Sequence, residues 1–442
     1  MVPKQPLARQ ILALALPAFG ALIAEPMFLL ADSAIVGHLG VDQLAGVGLA
    51  ATVLQSAVGL MVFLAYSTTP AVARLVGAGR RSDALAAGRD GLWLAVVLGA
   101  VLTVAGFLAA GPLLHGMGAR GAVLDYAEQY LRISTAGIPA LLVVLAATGV
   151  LRGLQDTRTP LLVAGAGFTA NIALNFGLVY GLGLSVAGSA LGTVLAQWAM
   201  AAVYLVMVAR AARAQGVGLR PHWAGVRALS RVGSALMLRT LSLRVAILAT
   251  VLVATAQGPL NLAAHQLAMT IFTFLAFALD ALAIAAQALI GKELGAGNTA
   301  AVRELTRTMV IWGLGFGVLT GAVLAAAAPF IGWIFSTDPG VHAALTPALL
   351  VMAAAQPVAG FVFVLDGVLI GAGDARYLAL AGLANLAAYL PLLLWVAHAQ
   401  PGDVPAGLGW LWVAFGAGYM AARALTLGLR VRTGRWIRTG AH

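Results

Sequence analysis

Gly153-Leu154-Gln155-Asp156-Thr157-Arg158 returns 218 residues later as Gly371-Ala372-Gly373-Asp374-Ala375-Arg376, with the glycine, the acid and the arginine in register. At the same shift Gly77-Ala78-Gly79 returns as Gly295-Ala296-Gly297. Leu44–Ala50 likewise pairs with Leu262–Ala268, and a Leu-Ala pair stands at both ends of each. One such match in a chain this rich in Ala, Leu and Gly would be chance. Three at a single shift define an internal repeat, with halves 1–218 and 219–442.

What each half contains follows from composition. Hydrophobic residues make up 61%, charged residues 9%, and mean hydropathy is +0.96. A soluble domain carries about 25% charged residues, so soluble and disordered chains are both excluded. Uncharged runs of 18 or more residues recur, each long enough to cross a ~30 Å hydrocarbon layer as a helix. They are continuous rather than alternating, which excludes a membrane β-barrel. With zero cysteines, disulfides, thiolate metal sites and a Cys nucleophile are excluded too. The expectation is an all-α polytopic membrane protein.

Hydropathy and turn signals predict twelve spans, at 11–36, 44–73, 91–114, 126–150, 160–180, 184–209, 232–256, 260–290, 308–335, 345–370, 377–398 and 406–429. The first is read as a span and not as a removed signal, because its apolar run from Ile11 passes Pro17 and Glu25 without a break. Each half takes six spans. Six is even, so both halves enter the membrane from the same side, as parallel repeats do in transporters whose substrate sits at the repeat interface. The basic segment 210–231 reads as the linker, most of it in the N-terminal lobe.

The net charge of +11 raises a nucleic-acid reading, and the placement of the charges removes it. With both termini and the even-numbered loops on one side, Arg120 alone falls in a loop of the other; Arg132, Arg239 and Arg244 lie in or beside spans. Arg423 counts with the C-terminal tail. This is the positive-inside asymmetry, with both termini cytoplasmic.

Polar residues within spans are costly and are functional candidates by default. Glu25 and Asp32 lie seven residues apart on span one, so they share a face about 10 Å apart along the axis. Pro26 beside Glu25 is a candidate hinge. Asn171 and Asn175 are adjacent on one face of span five, and Thr193 lies on span six. Gln266, Thr273, Asp280 and Gln287 form a seven-residue stripe down span eight, which suits a helix lining a water-accessible cavity. His265 lies near its start, and Asp366 is a buried acid on span ten. Arg239 and Arg244 are potential partners for Asp280 or Asp366. In the repeat Asp32 aligns with Thr250 and Asp366 with Thr148, so the two lobes share a fold but not a chemistry.

With these residues in place, the chain resembles the multidrug and toxic-compound extrusion (MATE) family, in its DinF-like branch. The resemblance covers essentially the whole chain and is carried by Glu25–Gly40, Ala263–Gln266, Leu279–Ala281 with Ala286–Gly291, and Leu365–Asp374. It implies two six-helix lobes around a V-shaped cavity, and export of organic, often cationic and amphipathic molecules against inward H⁺ or Na⁺. The family's N-lobe site uses a span-one acid, a span-five Asn and a span-six Thr, here Asp32, Asn171 and Thr193. Archaeal members add a second span-five acid, where this chain has Asn175; Glu25 is the candidate to compensate. Asp366 matches the family's span-ten acid, while the span-seven acid of other branches is absent near Thr250 and Arg244.

The leading expectation is an H⁺-coupled antiporter, with Na⁺ the lesser candidate, working by alternating access as a monomer in the inner membrane. The partners expected are a small-molecule substrate and the lipid bilayer, with no nucleic acid, cofactor or metal. A lipid-linked precursor flippase of the same superfamily is the alternative. An integral-membrane enzyme is disfavoured because no H-E-x-x-H or paired-Asp motif occurs, and a channel because of the two-lobe repeat. The topology predicts that single cysteines at Ser82 and Asp338 react with an impermeant thiol reagent from opposite faces of the membrane. Labelling of both from one face would overturn it.

Overall fold

The computed structural model describes residues 6–399 and 404–440. The chain is helical, as an apolar environment demands, since only a helix satisfies every backbone N–H and C=O within its own segment. The helices are α1 Leu7–Gly37, α2 Val41–Gly77, α3 Arg81–Gly116, α4 Gly121–Thr135 continued at 50° by Ile138–Gly153, α5 Arg158–Gly181 and α6 Ser185–Ala214. Then follow α7 Trp223–Ala256, α8 Pro259–Gly295, α9 Thr299–Phe335, α10 Pro339–Gly371 and α11 Ala375–Ala399. A final helical run, α12, covers 404–432.

Ten of these are single helices long and apolar enough to cross a membrane, and the bent α4 makes eleven. The last of the twelve expected spans is α12, which a π-helical stretch, Ala414–Met420, divides into short pieces. The α4 bend falls where Pro139, which has no N–H, opens the second segment. Several helices outrun the apolar limits read from sequence; α3, for instance, begins at Arg81 rather than 91. Its first turns carry Arg81, Asp83 and Arg89, and hydropathy alone does not detect a helix that runs on through charged residues.

The chain forms two compact units. One holds Leu16–Gly233; the other holds Ser234–Gly440 with the first turns of α1 up to Ala15. The division falls later than the repeat midpoint at 218 because the linker is fastened to α3. Arg89 Nη1 donates to the Gly218 carbonyl at 2.9 Å, Trp93 Nε1 to that of Leu219 at 3.0 Å, and the His222 N–H reaches the buried Asp90 carboxylate at 3.1 Å. The α7 N-terminus therefore belongs with the first unit.

Both units repeat one packing scheme at the 218-residue shift. Gln155 and Gly373, which correspond, both adopt left-handed backbone, at φ 68° and 70°; so do Gly79 and Gly297, at 75° and 73°. Gln155 holds a conformation that glycine takes without cost. In the first unit Gly149 and Gly153 of α4 press on α2, where an added Cβ would lie 2.9 Å from Ala65 Cα and 2.8 Å from the Thr69 carbonyl oxygen. In the second, Gly367 and Gly371 of α10 press on α8 at the corresponding Ala283 and Gln287, both 2.7 Å away. Small residues four apart let helix backbones approach where lipid gives no hydrophobic drive between them.

One correction concerns charge placement. Arg423, counted above with the C-terminal tail, lies within α12 and is buried, against Asp366 of α10. Hydropathy places it at a span end; the tertiary fold draws it inward to a carboxylate.

Packing gives a paired test. An added Cβ at Gly317 of α9 would sit 2.7 Å from Pro357 Cα of α10, whereas at Gly315 it would meet nothing within 4 Å. Gly317→Leu should therefore cost about 1–3 kcal/mol by overpacking and lower the melting temperature of the purified protein by several degrees. Gly315→Leu should leave it nearly unchanged. Equal melting temperatures for both variants would refute the packing account.

Candidate functional site

In the first unit, three helices bring polar side chains to one buried carboxylate on a fourth. Asp32, deep in α1, is 6% exposed. Its Oδ1 accepts from Ser189 Oγ of α6 at 2.6 Å and from Asn175 Nδ2 of α5 at 2.7 Å. Its Oδ2 accepts from Tyr130 Oη of α4 at 3.3 Å. Asn175 Nδ2 also reaches Asn171 Oδ1 at 3.1 Å, and Asn171 Nδ2 donates to Thr193 Oγ1 at 3.0 Å. Asp32, Asn171, Asn175 and Thr193, singled out from sequence, thus form one network.

The local sequence explains the convergence. Asn171 and Asn175 are one helical turn apart, as are Ser189 and Thr193, so each pair presents one polar edge from an apolar helix. Gly192 lets the α6 backbone approach the Asn175 side chain, because a Cβ there would collide with Asn175 Oδ1. A π-helical turn, Gly177–Gly181, begins just after Asn175; such turns recur at functional positions. Among the described residues Asn175 Oδ1 itself is buried without a hydrogen-bond partner, so the network holds one acceptor in reserve.

Sequence reasoning missed Ser189 and Tyr130. The signal for Ser189 was present, since it lies four residues before Thr193 on the same face. Tyr130 carries no such signal: it belongs to an amphipathic segment, and only the fold turns it to Asp32. Pro26 lies within the unbroken helix α1. The side chain of Glu25 lies outside the described residues.

In the second unit the candidates are dispersed. Along α8, Gln266 and Thr273 are exposed, Asp280 is half-buried, and Gln287 is buried with its Oε1 unpartnered among the described residues. The seven-residue stripe therefore passes from an exposed surface into the interior, because it drifts ~20° per heptad around a straight helix. His265 is fully buried, both ring nitrogens lack hydrogen-bond partners among the described residues, and its ring lies 5.8 Å from that of Trp412. Asp366 is buried and forms ion pairs with Arg239 of α7 and, at 3.4 Å, Arg423 of α12.

The acids are disposed unequally in the two units. At the position in the second unit that corresponds to Asp32, Thr250 Oγ1 and Tyr389 Oη lie 2.7 Å apart. Where Asp366 has its counterpart in the first unit, Thr148 hydrogen-bonds Tyr204. A neutral Thr–Tyr pair thus fills each place that the other unit gives to a carboxylate.

Two repeated helical units, each burying a carboxylate among its apolar helices, define a multi-pass membrane transporter rather than an enzyme. The MatE family model matches the chain twice, over residues 17–177 and 235–395, at the same 218-residue shift. The chain belongs to the MATE family, in its DinF-like branch. It is 31% identical over 400 residues to DNA damage-inducible protein F of Escherichia coli, covering 87% of each chain. It is 29% identical over 444 residues to the multidrug resistance protein MdtK of Edwardsiella ictaluri, covering 96% of this chain and 95% of that one. The fold matches the crystal structure of the Vibrio cholerae MATE transporter VcmN in the bent form, with a TM-score of 0.88, 22% identity and 98% of each chain covered.

The network makes a graded prediction. Ser189→Ala removes the shortest bond to the carboxylate, and a hydrogen bond to a charged group is worth about 1.5–3 kcal/mol. Transport by purified protein in liposomes should fall about tenfold. Thr193→Ala, one bond further from Asp32, should lose clearly less. Equal losses in the two variants would show that the network does not act through Asp32.

Proposed function

We propose that this protein is a secondary active antiporter that exports organic, amphipathic cations in exchange for protons. It works by alternating access as a single chain in the inner membrane, with both termini cytoplasmic. One observation carries the reading: the first unit buries the Asp32 carboxylate among neutral donors. An ionised acid in an apolar interior is tolerable only with such partners.

The partners also suit a proton. Ser189 and Tyr130 are hydroxyls, and a hydroxyl both donates and accepts. When Asp32 takes up a proton, either hydroxyl can rotate and accept from the new O–H. The unpartnered Asn175 Oδ1 can do the same if its amide turns over. Na⁺, a hard cation, asks for several oxygen ligands at once. Here Asn175 Nδ2 points an N–H at Asp32 Oδ1, and the second acid that would supply more oxygens is replaced by Asn175 itself. The geometry favours H⁺ over Na⁺.

Exchange follows by differential binding. Ionised Asp32 supports the state that accepts a cation; protonation from the outside removes that charge, rearranges the donors on α4, α5 and α6, and lowers cargo affinity. Pro26 supplies a point in α1, six residues before Asp32, where a hydrogen bond is already missing and bending is cheap. The relative named for multidrug resistance supports an organic cargo.

Efflux of ethidium from proteoliposomes under an imposed ΔpH tests the reading. Wild-type protein should drive efflux with ΔpH and not with a Na⁺ gradient, and Asp32→Asn, which mimics the protonated acid, should abolish it while folding and membrane insertion persist. Wild-type rates in Asp32→Asn would remove Asp32 from coupling. Efflux driven only by Na⁺ would overturn the proton.

A further inference from the structure

The 50° break in α4 costs its backbone hydrogen bonds, and neighbouring helices replace them. Pro139 has no N–H to give to the Thr135 carbonyl four residues earlier. In an apolar interior every backbone carbonyl needs a donor, and from Arg132 to Gly137 each one has it. Thr135 Oγ1 donates to the Arg132 carbonyl at 2.6 Å. The N–H groups of Ala136 and Gly137 close tight turns onto Ile133 and Ser134, at 3.1 and 2.9 Å, and the Leu141 N–H reaches the Gly137 carbonyl at 3.0 Å. The two carbonyls between are served from outside the helix. Thr103 Oγ1 of α3 donates to that of Thr135 at 2.9 Å, and Trp198 Nε1 of α6 to that of Ala136 at 3.0 Å.

Pro139 alone does not account for the break. At the 218-residue shift it corresponds to Pro357, which lies inside the continuous helix α10. The packing around the two prolines is shared. An added Cβ at Gly99 of α3 would lie 2.5 Å from Pro139 Cα, and one at the corresponding Gly317 of α9, 2.7 Å from Pro357 Cα. The donors are what differ. Thr103 and Trp198 correspond to Gly321 and Gly416, which have no side chain to offer. A Cβ at Gly321 would lie 2.5 Å from the Ala353 carbonyl oxygen, so bare backbone faces that carbonyl where the first unit has a hydroxyl. The change from Gly137 to Ala355 favours an unbroken helix, but it supplies no donor. The unit with the two donors has the broken helix, and the unit with two glycines has the unbroken one.

We propose that the Thr103 hydroxyl, with Trp198 as its companion, is a positioning group for Asp32: by capping the carbonyls at the break it holds α4 bent, and the bent form places Tyr130 on the carboxylate. Tyr130 lies on the first segment of α4, five residues before Thr135, and its Oη donates to Asp32 Oδ2 at 3.3 Å. On unbroken α10 the corresponding residue is Ala348, and Asp32 itself corresponds to Thr250. The break, its two donors and the tyrosine–carboxylate contact therefore occur together, in one unit. The Tyr130 bond is the longest of the three that Asp32 accepts. Bond strength falls steeply with misalignment, so a small turn of the segment is enough to lose it. Thr103 and Trp198 act through the direction of α4, and their effect on transport rests on the reading of Asp32 as the coupling acid.

Infrared difference spectra of the protein in nanodiscs at alkaline pH test the proposal. Subtracting the spectrum of Asp32→Asn isolates the carboxylate stretch of Asp32, and each variant is measured against its own Asp32→Asn background. Tyr130→Phe, which removes the hydroxyl at Oδ2, should shift that band. Thr103→Val, which keeps the shape and loses the donor, should shift it in the same direction, as should Trp198→Phe. Thr103→Ser, which keeps the hydroxyl, should return it to the wild-type position. Adding Thr103→Val to Tyr130→Phe should move it no further, because both act through one contact. Ethidium efflux under ΔpH should fall about fivefold in Thr103→Val, the effect of one hydrogen bond, and recover in Thr103→Ser. Thermal melts verify folding, and Trp198→Phe stands in if Thr103→Val does not fold.

A wild-type band in folded Thr103→Val or in Tyr130→Phe, a shift that Thr103→Ser does not restore, or additive shifts in the double variant would each overturn the proposal. Wild-type efflux by Thr103→Val despite a shifted band would remove Thr103 from transport. Because the band is read without cargo or an ion gradient, it does not depend on the antiport reading. Efflux that failed to follow ΔpH would overturn that reading and leave the Asp32 band to decide this one.

Discussion

A carboxylate inside an apolar protein must be surrounded by hydrogen-bond donors or by cations, and the two units meet this demand in opposite ways. Asp32 is held by neutral donors from three helices, so none of these three partners brings a compensating charge. Asp366 is held by guanidinium groups, so its charge is more than neutralised. The first arrangement surrounds an acid with neutral dipoles; the second surrounds one with positive charge. The same acid therefore has contrary roles according to what encloses it.

The repeat makes this divergence possible. Glycines at 149 and 153, and again at 367 and 371, press one helix backbone onto another in the same geometry. Because backbone packing carries the scaffold, the polar positions are free to differ. A Thr–Tyr pair occupies the neutral place in each unit, Thr250 with Tyr389 and Thr148 with Tyr204. Each lobe can thus gain or lose a carboxylate without rebuilding its core, in keeping with sites being grafted on folds.

Much of this was legible in the sequence, for identifiable reasons. Hydropathy and the 218-residue shift give the helices and the two repeats, because lipid allows few alternatives to a helix. Asn171 and Asn175 were legible as a pair because helical spacing alone sets them side by side. Tyr130 and Arg423 were not, since both owe their roles to packing between helices distant in the chain. The span-eight stripe had the right spacing and an uneven outcome: periodicity shows that Gln266 and Gln287 lie along one helix, but not that one is exposed and the other buried. The late boundary between the units depends on Asp90, Arg89 and Trp93 holding the linker, contacts that no local pattern announces.

The central claim is that one buried carboxylate gives up a proton when cargo binds. By linkage, if protonation lowers cargo affinity, cargo must lower proton affinity by the same factor. Addition of ethidium to purified protein in lightly buffered solution, with an indicator dye reporting pH, measures that release directly. The account predicts acidification by wild-type protein, up to about one proton for each ethidium bound, and none by Asp32→Asn. Equal proton release from the two proteins would contradict it.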